Sequence, residues 1–257
     1  MYSLVPFLTY YTQHFDKTNA SAVADDIIHQ LDLLWTHCHQ NTTGLLVHGY
    51  DASLGDKKAS WANPVTGASP FAWSRSLGWY FISLIDALEI VVGAKGVFPA
   101  RLEQYLHSRF VELARAVVLA TDTETGCWWQ VLEYPGRKGN YIESSGSPMF
   151  TYGLYKGVRL GYLPQASAKR YTGIAEKCYG HLVSNFVVDN KNGTLGYNGT
   201  VGVCSLDSSA TYEVCSYKVI VDDRSSANRI FTVLCLAAFS VQQRPWVSSI
   251  YPRKLGA

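Results

Sequence analysis

The sequence predicts a mainly α-helical domain, built from repeated helical hairpins that pack as a toroid. Three observations predict it. Apolar residues recur at three- and four-residue spacing along most of the chain. Few segments alternate with the strand period for more than four residues. Three loops of like composition return at intervals of roughly 70 to 80 residues, close to two helices plus two loops.

The elements follow in order. "MYSLVPFLTYYTQHF" has no positive n-region and no small-residue cleavage site, and reads as an amphipathic helix already under way. The expectation is a chain that starts inside a larger architecture. Helical spacing then runs over 20–38 (Val23, Ile27, Leu31, Leu34), 76–93 (Leu77, Phe81, Leu84, Leu88) and 99–120 (Leu102, Leu106, Phe110, Leu113, Val117). Two more helices fit 143–162 and 166–186, the first capped by Ser144 or Ser145. The repeating loops are "NTTGLLVHGY" from 41, "TETGCWWQVL" from 123 and "NKNGTLGYNG" from 190. Each has polar residues, a glycine, then a short apolar or aromatic stretch. In such a ring the inner and outer helices bury each other, and loops at one end converge over the central opening. Seven or eight helices are expected where a closed ring of six hairpins needs twelve, so the single domain, 1–257, is expected to be an incomplete ring.

Of the 257 residues 47% are hydrophobic, enough for a well-buried core. Only 16% are charged and 13% are aromatic, including 7 Trp and 17 Tyr. That balance suits a protein that handles sugars, since a flat ring covers an apolar sugar face while its edge makes hydrogen bonds. It equally suits a packed helical core. The net charge of +2, without a Lys/Arg run, argues against nucleic acid. No uninterrupted apolar run approaches the roughly 18 residues of a membrane span. The six cysteines show no C-x-x-C pair and no zinc-ligand spacing, so no metal is indicated, and buried free thiols are expected. If a pair bridges, Cys204 and Cys215 are favoured. Sequons at Asn19, Asn41, Asn192 and Asn198 point to a secreted glycoprotein.

Chemistry-bearing residues gather in the loops. "TGLLVHGYD" holds His48 and Asp51, and "FAWSRSLGWY" sets Trp73, Arg75 and Trp79 where a long loop hands over to a helix. Arg75 offers a planar fork for a carboxylate. Trp73 and Trp79 are six apart, so they need not share a face. "NYIESSGS" adds Tyr141, Glu143 and Ser145. Glu143 and Asp51 are the candidate acid/base carboxylates.

Together "GLLVHGYD", "SWANPVTGASPFAWSRSLGWY", "GCWWQVLEYPGRKGNYIESSGSPMF" and "YGLYKGVRLGYL" resemble the unsaturated rhamnogalacturonyl hydrolases, glycoside hydrolase family 105, over positions 1–212. The resemblance implies a monomeric (α/α)6 barrel that removes 4,5-unsaturated galacturonyl residues from rhamnogalacturonan oligosaccharides. An aspartic acid protonates the vinyl-ether double bond, water adds at C5, and the hemiketal falls apart, with no cofactor. His48 and Arg75 would contact the sugar, with Trp73 and Trp79 as walls; Tyr141, Glu143 and Ser145 carry over more loosely. The family's aspartate lies in a motif like D-G-M-Y or D-T-L-F-M, which the resemblance places just upstream of Met1. Impaired activity is therefore expected, with a sugar-binding remnant as the alternative. The stretch 213–257 departs from the family, although "SANRIFTVLCLAAFS" fits a closing helix.

Overall fold

The computed structural model describes residues 3–202 and residue 206. The described residues form six α-helices: α1 (Leu4–Phe15), α2 (Ala20–Cys38), α3 (Ser74–Gly93), α4 (Ala100–Leu119), α5 (Gly146–Arg159) and α6 (Gln165–Phe186). A short antiparallel hairpin follows, β1 (Val187–Asp189) and β2 (Leu195–Tyr197), with Val187 opposite Tyr197. The chain is all-α, and each helix overlaps its expected range. The expected closing helix, residues 213–257 and the Cys204–Cys215 pair lie outside the described residues.

The helices pack in two layers. In one, α3 lies between α1 and α5; in the other, α2, α4 and α6 each back the helix that precedes them in the chain. This is the alternation expected of hairpins in a toroid. Because the chain reverses at every connection, the long ones (39–73, 120–145 and 187–202) leave from one end of the helices. The short ones (16–19, 94–99 and 160–164) turn at the other.

The core centres on α3, which buries 12 of its 20 residues. Phe81 stacks on Phe110 of α4 at 5.0 Å and meets Phe150 of α5 edge-on at 5.8 Å. Trp128 closes the cluster against Phe150, and its indole N–H donates to the Val117 carbonyl at 2.8 Å. A β-carbon at Gly153 would collide with the Phe81 ring, so glycine is what lets α5 approach α3 there. By length and mean hydropathy (1.5) α3 meets the requirements of a membrane-crossing helix, despite its interruption by charged residues. Its enclosure by α1, α4 and α5 accounts for that apolarity.

The repeated loops share a turn. Gly44, Gly126 and Gly193 all have positive φ (72°, 74° and 84°), where a β-carbon is strained. In each, the side-chain oxygen before the glycine accepts the N–H just after it: Leu45 to Thr43 (3.2 Å), Cys127 to Thr125 (3.1 Å) and Thr194 to Asn192 (3.1 Å). The compositional repeat is therefore a repeated hydrogen-bonded turn, which closes the end of α2, of α4 and of β1.

Two local expectations are corrected. Cys127 and Cys178 are not free thiols but form a disulfide across 51 residues, tying the 120–145 loop to α6. Cys38 is a buried free thiol, pushed up to about 11 by burial. Nor do the serines cap α5: Ser145 occupies the cap position without a side-chain cap bond, and the Glu143 carboxylate accepts the N–H groups of Ser145 (3.1 Å) and Gly146 (2.6 Å) instead. A full negative charge satisfies the positive end of a helix better than a hydroxyl does.

Candidate functional site

The long loops meet at the N-terminal ends of α3 and α5. Trp73, extended just before α3, pairs with Val131 of the second loop, and Ser74 N–H donates to the Gln130 carbonyl at 3.0 Å. The first loop is laid on the same edge by the His48 N–H, which donates to Phe71 at 2.9 Å. The two helix ends almost touch: a β-carbon at Gly146 would stand 2.7 Å from the Ser74 carbonyl carbon.

At this junction lies Glu143, which is fully buried. Its carboxylate also accepts the Ser145 hydroxyl (2.8 Å to Oε2) and the Val201 N–H (3.0 Å to Oε1). Arg75 stands over it, with Nη2 3.6 Å from Oε1. The Arg75 fork is spread among protein groups: Nε donates to Ser145 Oγ at 2.7 Å, Nη1 to the Gly202 carbonyl at 2.9 Å and Nη2 to that of Val201. Ser144 binds the same segment through its hydroxyl to the Asn198 carbonyl at 2.7 Å. A buried carboxylate is tolerable only when its lone pairs are filled and a cation is near, as they are here. Glu143, Arg75 and Ser145 thus form one network that fixes α3, α5 and residues 198–202 together.

His48 packs its ring on Trp73 with centroids 3.9 Å apart. Burial lowers its pKa to about 4, so it is neutral at neutral pH, and its buried Nδ1 has no hydrogen-bond partner. Trp73 itself is buried against Val131, with Phe71, Tyr134 and Leu206 around it. Trp79 packs elsewhere, against Ile82 and Met149, so the two tryptophans belong to separate clusters. Tyr141 shares the floor of the second loop, its carbonyl accepting the Gln130 N–H at 2.8 Å.

Asp51 faces its own loop, accepting from Ala59 N–H (2.6 Å) and Ser53 N–H (2.8 Å). Those backbone bonds hold its pKa down to about 2, so it stays ionised. Sequence reasoning passed over Glu133, whose carboxylate accepts the Ala72 N–H at 2.9 Å, beside Trp73. Burial raises its pKa above the ordinary value of 4.5. Nothing in "QVLEYPG" marks it, because its burial comes from the first loop folding over it. Among the described residues no group of three or more His, Cys, Asp or Glu is placed to hold a metal ion.

Residues 2–232 match the family model of Glycosyl Hydrolase Family 88. The chain belongs to that family. A protein of Agrobacterium fabrum and the 24.9 kDa protein in the picA locus of Rhizobium radiobacter are each 35% identical to it over 165 residues, 63% of this chain and 66% of theirs. Among solved structures, a family 105 glycoside hydrolase of C. acetobutylicum superposes with a TM-score of 0.76 at 30% identity, over 93% of this chain and 63% of its own. A family 88 hydrolase of Bacteroides vulgatus shares the fold, with a TM-score of 0.62 at 18% identity over 93% of this chain and 60% of its own. The chain thus spans about two thirds of its relatives' length. The resemblance read from the motifs holds, and in this family 88 chain its loop residues His48, Trp73, Arg75, Tyr141, Glu143 and Ser145 lie at the end where the long loops converge.

Proposed function

We propose that this family 88 chain carries the sugar-binding part of a glycosidase. Its substrate would be an oligosaccharide ending in a 4,5-unsaturated galacturonyl residue, linked to rhamnose. The observation that carries this reading is the neutral His48 stacked on Trp73, with an unpartnered ring nitrogen, beside the Arg75 network. The partly exposed His48 ring, backed by the buried Trp73, offers a face to a flat unsaturated sugar, and a neutral imidazole binds a hydroxyl without demanding a counter-charge.

In the reaction a carboxylic acid gives its proton to C4 of the vinyl ether. The oxygen of a water bonds to C5, and that water's proton returns to the carboxylate. The hemiketal then opens and releases the rhamnose hydroxyl, so the balance needs only water. Such a group must both lose and regain a proton near neutral pH. Glu143 spends its oxygens on four donors, and Asp51 stays ionised, so we assign both to positioning. Without another acid the chain turns over about 100- to 10,000-fold more slowly than a complete site. The same two carboxylates favour a second reading, a chain that binds the unsaturated sugar without hydrolysing it.

Incubation with unsaturated galacturonyl-rhamnose, followed by the ultraviolet absorbance of its conjugated double bond, tests the proposal. A flat trace, together with binding of the disaccharide that Trp73→Ala abolishes, is expected. Absence of binding by the folded chain contradicts the substrate assignment. Rapid loss of absorbance contradicts the positioning role of the carboxylates unless Glu143→Gln and Asp51→Asn keep the full rate.

A further inference from the structure

The first long loop is closed by hydrogen bonds rather than by a core. Between residues 50 and 69 Ala62 is the one buried apolar side chain among the described residues, and Leu54 (83%) and Val65 (90%) stand in solvent. Two side chains close the loop instead. The Asp51 carboxylate accepts the Ser53 and Ala59 N–H groups and staples residues 51–59. The Asn63 side-chain oxygen accepts those of Val65 and Thr66 (2.9 Å each), and the Asn63 N–H donates to the Ala68 carbonyl at 2.9 Å. Tyr50 pairs with Ala68 across the base. Trp61 lies between the two closed turns. The end of its indole, Cη2, is 3.9 Å from where a β-carbon on Gly49 would stand, and Leu206, which packs with Trp73, borders the same point. Gly49 follows His48, so Trp61 stands one residue along from the His48–Trp73 pair.

Trp61 is partly exposed and joins none of the hydrophobic clusters that the described residues form. An edge contact with a glycine is little use of so large a ring as packing. We propose that Trp61 is the platform of a second sugar subsite, beside the one that His48 and Trp73 form, and that it takes the sugar following the unsaturated residue. This rests on the substrate class proposed above. An indole face suits the C–H-rich face of a pyranose. A 6-deoxy sugar such as rhamnose adds an apolar methyl group there, where a hydroxymethyl group would need hydrogen-bond partners. The turns at Asp51 and Asn63 hold the ring in place before the sugar arrives, so little further ordering is needed on binding.

Calorimetric titration of the full 257-residue chain compares two ligands. One is unsaturated galacturonyl-rhamnose; the other is the methyl glycoside of the unsaturated galacturonic acid, which lacks the second sugar. The parent should bind the disaccharide about three- to tenfold more tightly, as one aromatic contact allows. Trp61→Ala should remove that preference and leave the affinity for the methyl glycoside unchanged, and Trp61→Phe should restore most of it. Hydroxyl-radical footprinting of the parent gives a reading that needs no variant: the disaccharide should protect Trp61 from oxidation and the methyl glycoside should not. Equal affinity of the parent for the two ligands overturns the proposal. So does a folded Trp61→Ala that weakens both alike, which would make the ring a prop for its loop, or a Trp61 still oxidised in the disaccharide complex. A parent that binds neither ligand overturns the subsite together with the substrate class. Binding of both without discrimination overturns the second subsite alone.

Discussion

Helices α3 and α1 lie side by side in one layer, and both carry large apolar side chains along much of their length. Yet α3 buries 12 of 20 residues, whereas α1 buries 3 of 12, two of them threonines. The difference is one of neighbours rather than composition. Helix α3 is enclosed by α1, α4 and α5, and Gly153 on α5 lets the Phe81 ring of α3 sink into place. Helix α1 leaves Phe7, Tyr10, Tyr11 and Phe15 exposed, with no enclosing partner on that side among the described residues. The lesson is that similar apolar content is buried or exposed according to the helices that surround it.

The comparison can be broken most forcefully at the end of α3. Glu143→Ala would leave the Ser145, Gly146 and Val201 donors and the Arg75 charge without their acceptor, and should cost about 3–5 kcal/mol by urea denaturation. Phe81→Ala should cost a similar amount, about 3–5 kcal/mol, through the cavity between α3, α4 and α5. Phe7→Ala on α1 should stay within about 0.5 kcal/mol. Equal losses at Phe81 and Phe7 would refute the contrast between the helices. Removing the disulfide with Cys127→Ser is expected to cost about 2–5 kcal/mol, since it closes a loop of 51 residues.

A further contrast is one of pH. His48 titrates at about 4 in the fold against 6.5 unfolded, so the unfolded chain takes the proton first. Its contribution to stability is full above 6.5 and declines as the pH falls toward 4. Thermal melts across that window should flatten for His48→Gln relative to the parent. Parallel pH profiles would show that the ring is not buried against Trp73.

Much of this was legible in the sequence, for reasons that are local. The three- and four-residue spacing gave all six helices of the described region, because each buries one face against the next layer. The loop repeat at Gly44, Gly126 and Gly193 was legible because one turn needs the same residue type three times. What escaped notice depends on contacts between distant segments. Cys127 and Cys178 have no spacing signature, and only the approach of the second loop to α6 joins them. Glu143 takes over the cap expected of a serine, since the chain doubles back just before α5. The separation of Trp73 from Trp79 follows from an extended residue meeting a helix: one ring turns to the loops and the other to Met149.

The most direct measurement is calorimetric titration of the unsaturated galacturonyl-rhamnose disaccharide into the parent chain, Trp73→Ala and Phe7→Ala, each with its melting curve. Binding that persists in Phe7→Ala and is lost in a folded Trp73→Ala would place sugar recognition at the loop end of α3, as proposed. Equal binding by Trp73→Ala and the parent, or loss in Phe7→Ala instead, would contradict it.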